Sequence, residues 1–62
     1  MNENLLTPAE VAERLKISKA KAYNLLKSGE IAVVRIGTLV RVKEMDLVKY
    51  IEERTHTQDQ ER

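Results

Sequence analysis

Cysteine is missing from the 62 residues. That excludes disulfide cross-links and any thiolate metal site, and it suits a reducing cytoplasm. Histidine is down to one, His56, in a polar C-terminal stretch, so no set of His, Cys and carboxylate has the spacing of a zinc site. Glycine occurs twice and proline once, and no Gly-rich phosphate loop can be assembled from them. Ser18 has no companion base, so nucleophilic catalysis finds no support. No window approaches the roughly 18 apolar residues of a membrane span. The N-terminal MNENLLT lacks the basic-then-apolar order of a secretory signal. A chain of this length makes one small domain, whose core supplies only a few kcal/mol of net stability. With 42% hydrophobic and 34% charged residues, it has the balance of a soluble globular domain rather than a disordered one. No enzymatic activity, cofactor, metal or small-molecule substrate is expected.

Net charge is also scarce, at +1, but it is unevenly spread. From Lys16 to Lys43 seven cations (Lys16, Lys19, Lys21, Lys27, Arg35, Arg41, Lys43) face one acid, Glu30, for a local charge of +6. The flanks together carry four cations and nine acids, or −5. A basic centre between acidic ends is the footprint of a polyanion partner. An uneven solvated surface is the plain alternative.

Leu6-Thr7-Pro8-Ala9-Glu10-Val11 is a helix start. Thr7 is the N-cap, Pro8 takes the first helical position where its missing N–H costs nothing, and Glu10 completes a capping box. Leu6 and Val11 occupy the positions of a hydrophobic staple. A first helix is predicted from Pro8 to Leu15, burying Val11, Ala12 and Leu15. Lys16-Ile17-Ser18 forms a turn with Ile17 as its apolar plug. Ser18 caps a second helix from Lys19 to Ser28, and Gly29 is its left-handed stop. At about 100° per residue, Ala22, Leu25 and Leu26 fall on one side as the core stripe. Ala20, Tyr23, Asn24 and Lys27 fall on the other, flanked by Lys19 and Lys21.

The period then changes to two. Ile31 to Val42 (IAVVRIGTLVRV) is β-branched and contains Gly37-Thr38, so it reads as a hairpin. In one register Ile36 pairs with Val40 and Val34 with Val42, around a three-residue loop. This gathers four bulky apolar residues on a core face and sets Arg35 across from Arg41 outside. The two-residue loop pairs Ile36 with Leu39 and puts Val34 beside Arg41, mixing core and solvent. Burial favours the first. Directly opposed like charges cost up to ~1 kcal/mol, a penalty that a shared anion would remove. A third helix is expected from Glu44 to Arg54, with Leu47, Val48, Tyr50 and Ile51 as its apolar face and Lys43 as a poor N-cap. THTQDQER from Thr55 has no apolar residue and is expected to be a disordered tail.

Two short helices joined by a tight turn, then a hairpin and a helix, suit a winged helix-turn-helix. A small α+β domain that binds protein has the same order of elements. The central +6 tips the balance toward DNA. It also explains why Lys19 and Lys21 stand in a first helical turn, where the backbone dipole disfavours cations by a few tenths to ~1 kcal/mol each. Free N–H groups there point at an anion, and a phosphate makes the lysines favourable. Asn24 faces away from the core, and its amide can bond adenine N6 and N7 together. Tyr23 can donate to a phosphate or pack on a sugar or a thymine methyl. Ala20 can meet a thymine methyl, and Lys27 can reach a guanine edge or a phosphate. The expected base-facing set is thus Ala20, Tyr23, Asn24 and Lys27. The expected phosphate and wing set is Ser18, Lys19, Lys21, Arg35, Thr38 and Arg41, with Lys16 at the periphery. An exposed Asn without a role, a Tyr at the edge of the core and a solvated sheet face are the ordinary alternatives.

The stretch LLTPAEVAERLKISKAKAYNLLKSGEIAVVRIGTLVRVKEMDLVKYI resembles the excisionase-type, MerR-like winged helix-turn-helix family. The resemblance runs from Leu5 to about Arg54. It is carried by L-T-x-x-E-V-A-x-x-L, I-S, A-Y-x-L-L-x-S-G-E-I, V-x-R-I-G and V-R-V, then D-L and Y-I in the last helix. It implies an α+β fold over 5–54, with the Ser18–Lys27 segment in a major groove and the Arg35–Arg41 hairpin on flanking backbone or minor groove. Recombination directionality factors of this family bind and bend DNA near attachment sites and assist an integrase. Other members are small transcriptional regulators of mobile elements. Members often have Gly where this chain has Lys16, a basic residue near Thr38, and Trp where it has Tyr50. The expected partners are therefore double-stranded DNA, an integrase or recombinase, and further copies of the chain on adjacent sites. The expected location is cytoplasmic, at the nucleoid. A protein-binding adaptor is the alternative from another class. The third helix is too short for the long dimer coiled coil of full MerR regulators.

Overall fold

The computed structural model describes residues 4–56. The expected polar tail therefore lies, from residue 57 onward, outside the described residues. The elements run β1 (Leu5–Leu6), α1 (Pro8–Leu15), α2 (Lys19–Ser28), β2 (Val34–Ile36), β3 (Leu39–Lys43) and α3 (Glu44–Glu53). This is an α+β helix-turn-helix fold with a hairpin wing.

The start of α1 follows its local chemistry. The Thr7 hydroxyl accepts the Glu10 N–H at 3.1 Å, and the Glu10 carboxylate accepts the Thr7 N–H at 2.9 Å. Two amides that the helix leaves unpaired are thereby satisfied. Leu6 and Val11 are both buried. Lys16 closes α1 in the left-handed region, at φ 59°, its N–H donating to the carbonyls of Ala12 and Glu13. Ile17 then donates its N–H back to Ala12 at 3.0 Å. A non-glycine residue holding this conformation is under strain. Ser18 caps α2 by accepting the Lys21 N–H at 3.1 Å, and Gly29 ends it at φ 84°.

Leu6, Val11, Ala12, Ala22, Leu26, Ile31, Val42 and Leu47 form the buried core, with Leu15, Ile17, Leu25, Val33, Val40 and Tyr50 packed half-buried around it. Leu15 and Leu25 thus sit at its edge rather than inside it. Of the expected apolar face of α3, Leu47 is buried and Tyr50 half-buried, while Val48 and Ile51 are exposed. The expected four-residue apolar face is therefore narrower than its sequence. Lys43 makes no side-chain cap. Instead the Glu44 N–H donates to the Asn4 carbonyl at 3.0 Å, and the Glu44 carboxylate accepts from Arg14 and Asn4, each at 3.2 Å. Those bonds, Arg14 foremost, hold Glu44 below its ordinary pKa.

The sheet overturns the expected hairpin register. Its order is β1-β3-β2. The partners are Val34 with Arg41, Arg35 with Val40 and Ile36 with Leu39, around a two-residue Gly37-Thr38 loop. Ile36 does not pair with Val40, Val34 does not pair with Val42, and Arg35 does not oppose Arg41. Turn geometry is the reason. Gly37 has φ 63° while Thr38 stays at negative φ. Positive φ at the first loop position alone is the pattern of a type II′ turn, whose twist matches the flanking strands and which places Gly first. β1, which the sequence reading did not anticipate, adds Leu5 opposite Lys43 and Leu6 opposite Val42.

Because cross-strand partners share a face, the sheet divides cleanly. Leu6, Arg35, Val40 and Val42 point toward the helices. Leu5, Val34, Ile36, Leu39, Arg41 and Lys43 point away. Val34 and Ile36 are thus on the outer face, not in the core, and Ile36 and Leu39 are each 51% exposed. Val33 and Ile31, before β2, take the core positions instead.

Candidate nucleic-acid interface

In α2 the buried residues are Ala22 and Leu26. Lys19, Ala20, Lys21, Tyr23, Asn24 and Lys27 are all exposed. Asn24 and Ala20 lie nearly opposite the buried stripe at the helical period. Tyr23 and Lys27, one turn apart, lie on one flank, and Lys21 lies on the other. The first turn holds no acid. Glu30, the one acid in the basic segment, accepts Arg54 at 2.7 Å, and that guanidinium also lies 4.6 Å over the Tyr50 ring. Among the described residues, therefore, the sole carboxylate between Lys16 and Lys43 is paired, and its partner comes from beyond α3.

The hairpin contributes asymmetrically. Arg35 and Thr38 are exposed, and Arg35 stands on the helix-facing side of the sheet. Arg41 stands on the other face, half-buried, donating to the Val40 carbonyl at 2.8 Å. The two arginines cannot straddle one anion, and Arg41 does not join α2 in a common surface. Lys16 and Ser18 occupy the turn before α2, with the Ser18 hydroxyl engaged as the cap.

A shallow cleft of about 70 Å³ separates α2 from the hairpin, lined by Tyr23, Leu26, Lys27, Val33, Arg35 and Val40. Val33 and Val40 were not among the expected site residues. The signal that finds them is Gly37, since the Gly-first two-residue loop fixes which strand residues turn toward α2. A larger hollow of about 270 Å³ lies elsewhere, between α3 and the Gly29–Ala32 segment, and includes Glu30, Asp46 and Glu53 with Lys49. Its acidic walls make it a poor host for DNA. No group of His, Cys, Asp and Glu among the described residues has metal-binding geometry, and no helix there is long and apolar enough to cross a membrane.

A capped helix, a tight left-handed turn, a second helix with an exposed basic face and a β-hairpin beside it define a winged helix-turn-helix module. The family model described as helix-turn-helix domain matches residues 5–55. The chain belongs to that family, a non-enzymatic class of DNA-binding domain. It is 45% identical over 51 residues, 81% of its length, to the uncharacterized protein YvgK of Bacillus subtilis, covering 17% of that protein. It is 49% identical over 41 residues, 66% of its length, to a probable excisionase of Saccharopolyspora erythraea, covering 42% of it. To a putative DNA-binding protein of Mycobacterium tuberculosis it is 47% identical over 38 residues, 61% of its length and 49% of the relative's. The chain thus spans half or less of each of these relatives. No solved structure matches it.

Proposed function

We propose that this domain binds duplex DNA in a sequence-specific way, with α2 in the major groove and the hairpin on adjoining backbone, and that it serves as an excisionase, shaping DNA near attachment sites for an integrase. One observation carries the reading. The solvent side of α2 offers amide and small side chains at its centre and cations at its flanks, while Glu30, the one carboxylate between Lys16 and Lys43, is occupied by Arg54. Asn24 bonds an adenine edge, a contact worth about 1–3 kcal/mol of discrimination. Ala20 lies against a base beside it. Lys19, Lys21 and Arg35 meet phosphates, with the Ser18 and Thr38 hydroxyls as neutral contacts and Lys16 at the margin.

The excision role is supported by the relative named a probable excisionase. A module of this size buries only about 600–1,000 Å² of protein on DNA, so useful affinity needs an integrase or neighbouring copies. Leu5, Ile36 and Leu39 on the outer sheet face, and Met45, Val48 and Ile51 on α3, are exposed. Such apolar surface away from the DNA side suits a protein partner.

The test is a salt titration on a duplex selected from a random pool by the protein. Three charged phosphate contacts give a log–log slope of about −2.7. Lys19→Glu combined with Lys21→Glu should lower affinity and flatten that slope by about 1.8. Unchanged affinity and slope in the double variant would remove the proposed surface. For the excision role, an integrase gene should lie beside its gene, and the protein should stimulate excision by that integrase in a purified reaction. Binding without stimulation would leave a transcriptional regulator in its place.

A further inference from the structure

Tyr23 and Lys27 come from consecutive turns of α2, and Arg35 comes from the helix-facing side of β2. The observed register brings all three to the rim of one cleft whose floor is Leu26, Val33 and Val40. The rim carries two full positive charges and a phenol, and no lining residue is acidic. The floor is apolar, so a charge seated above it interacts through a lower effective dielectric than at an open surface.

We propose that this cleft seats a single DNA backbone phosphate, gripped by Lys27 and Arg35 with the Tyr23 hydroxyl as third donor. Tyr23 and Lys27 then position the duplex rather than read it, and Asn24 with Ala20 forms the whole base-reading surface of α2. The proposal rests on α2 being the major-groove helix. Given that, the geometry decides between phosphate and base. A helix with its side chains is about 10–12 Å across, and the major groove is about 12 Å wide. The residue facing straight outward therefore meets the base edges on the floor, and residues on the flanks meet the phosphate walls. Tyr23 and Lys27 are on the flank toward the hairpin, and Lys21 is on the flank away from it. The hairpin closes over the first of these flanks only, so one strand is held from two elements and the other by Lys21 of α2 alone. The apolar floor suits the carbon edge of the deoxyribose attached to that phosphate.

The experiment uses the selected duplex with each phosphate in turn replaced by a neutral methylphosphonate. One position on one strand should weaken wild-type binding on the order of tenfold, the loss expected for one charge-assisted contact. Lys27→Gln and Arg35→Gln should each bind the unmodified duplex less tightly by a similar factor, lose part of the sensitivity to that methylphosphonate, and keep the wild-type base preferences, and the double variant should lose the sensitivity altogether. Because Lys27 shares the phosphate already assigned to Arg35, the number of phosphates stays at three and the wild-type salt slope stays at about −2.7. A separate phosphate for Lys27 would steepen it to about −3.6 and overturn the shared seat. Tyr23→Phe should lose a smaller factor at the same phosphate. Arg41→Gln, altered on the opposite sheet face, should change none of these. A changed base preference in Lys27→Gln, or no phosphate coupled to both cations, would overturn the seat. Those outcomes leave the DNA-binding reading standing, because it falls only with the Lys19 and Lys21 double variant.

Discussion

Lys16→Gly should make this domain more stable, although it deletes a charged side chain and adds nothing. Lys16 holds φ 59° at the end of α1 and is the only described non-glycine residue in the left-handed region. An L-residue there carries roughly 1–2 kcal/mol of clash between its Cβ and the carbonyl. Glycine escapes the clash but loses about 0.5–1 kcal/mol more chain entropy on folding. The Lys16 side chain is exposed, so no packing is forfeited, and the N–H bonds to Ala12 and Glu13 survive in any residue but proline. What is forfeited is the favourable placement of a cation at a helix C-terminus, a few tenths of a kcal/mol. Lys16→Ala removes the cation and keeps the clash, which makes it the right baseline. Against it, Lys16→Gly should gain about 0.5–1 kcal/mol, a rise of about 2–8 °C in Tm for a domain of this size. Lys16→Asn should fall between the two, since Asn tolerates this region better than Ala. Thermal unfolding by circular dichroism, with urea midpoints at 25 °C, reads the difference. A glycine variant no more stable than the alanine variant would refute the strained turn. Retained DNA affinity with an unchanged salt slope would further place the Lys16 ammonium off the phosphates.

Replacing Leu47 or Ile31 with Ala should cost about 2–5 kcal/mol, because both are almost wholly buried. In a core this small that leaves most molecules unfolded at 25 °C, which the amide dispersion in an NMR spectrum will show. Gly37→Ala meets no atom within 4 Å but must hold φ 63°; its cost should be about 1–2 kcal/mol, from conformation alone, read as a lower urea midpoint. The folded-state pKa of Glu44 is depressed, first by the Arg14 hydrogen bond. Its contribution is therefore present above the ordinary glutamate value and is lost as pH falls through the lower folded value. Glu44→Gln should be less stable than wild type at neutral pH, and the gap should close in acid, as urea midpoints across pH will show.

The helices were legible because their signals are local. Thr7, Pro8 and Glu10 mark one helix start within four residues, and Ser18 and Gly29 bracket the next. The apolar spacing of Ala22, Leu25 and Leu26 names the buried side of α2 before any tertiary contact exists, and with it the exposed Ala20, Asn24 and Lys27. The strands were less legible. Burial alone argued for Val34 and Ile36 facing the core, whereas a Gly-first turn of two residues set the register and left them outside. A slip of one residue reverses every side chain in a strand, so this one error moved Arg35 onto the side of α2. Similarly, β1 is two residues long and exists only because β3 offers an edge for it.

By itself, then, the order of residues determined the caps, the helix limits, the basic centre and which side of the second helix meets solvent. All of these depend on groups a few positions apart along the chain. Only the folded sheet decided that Arg35 and Arg41 part company, that Val33 and Val40 floor a cleft under Tyr23, Lys27 and Arg35, and that Glu30 is answered by Arg54. Those outcomes depend on strand register and on how the third helix packs, where competing pairings of nearly equal local merit are separated by turn geometry and by contacts between residues far apart in sequence.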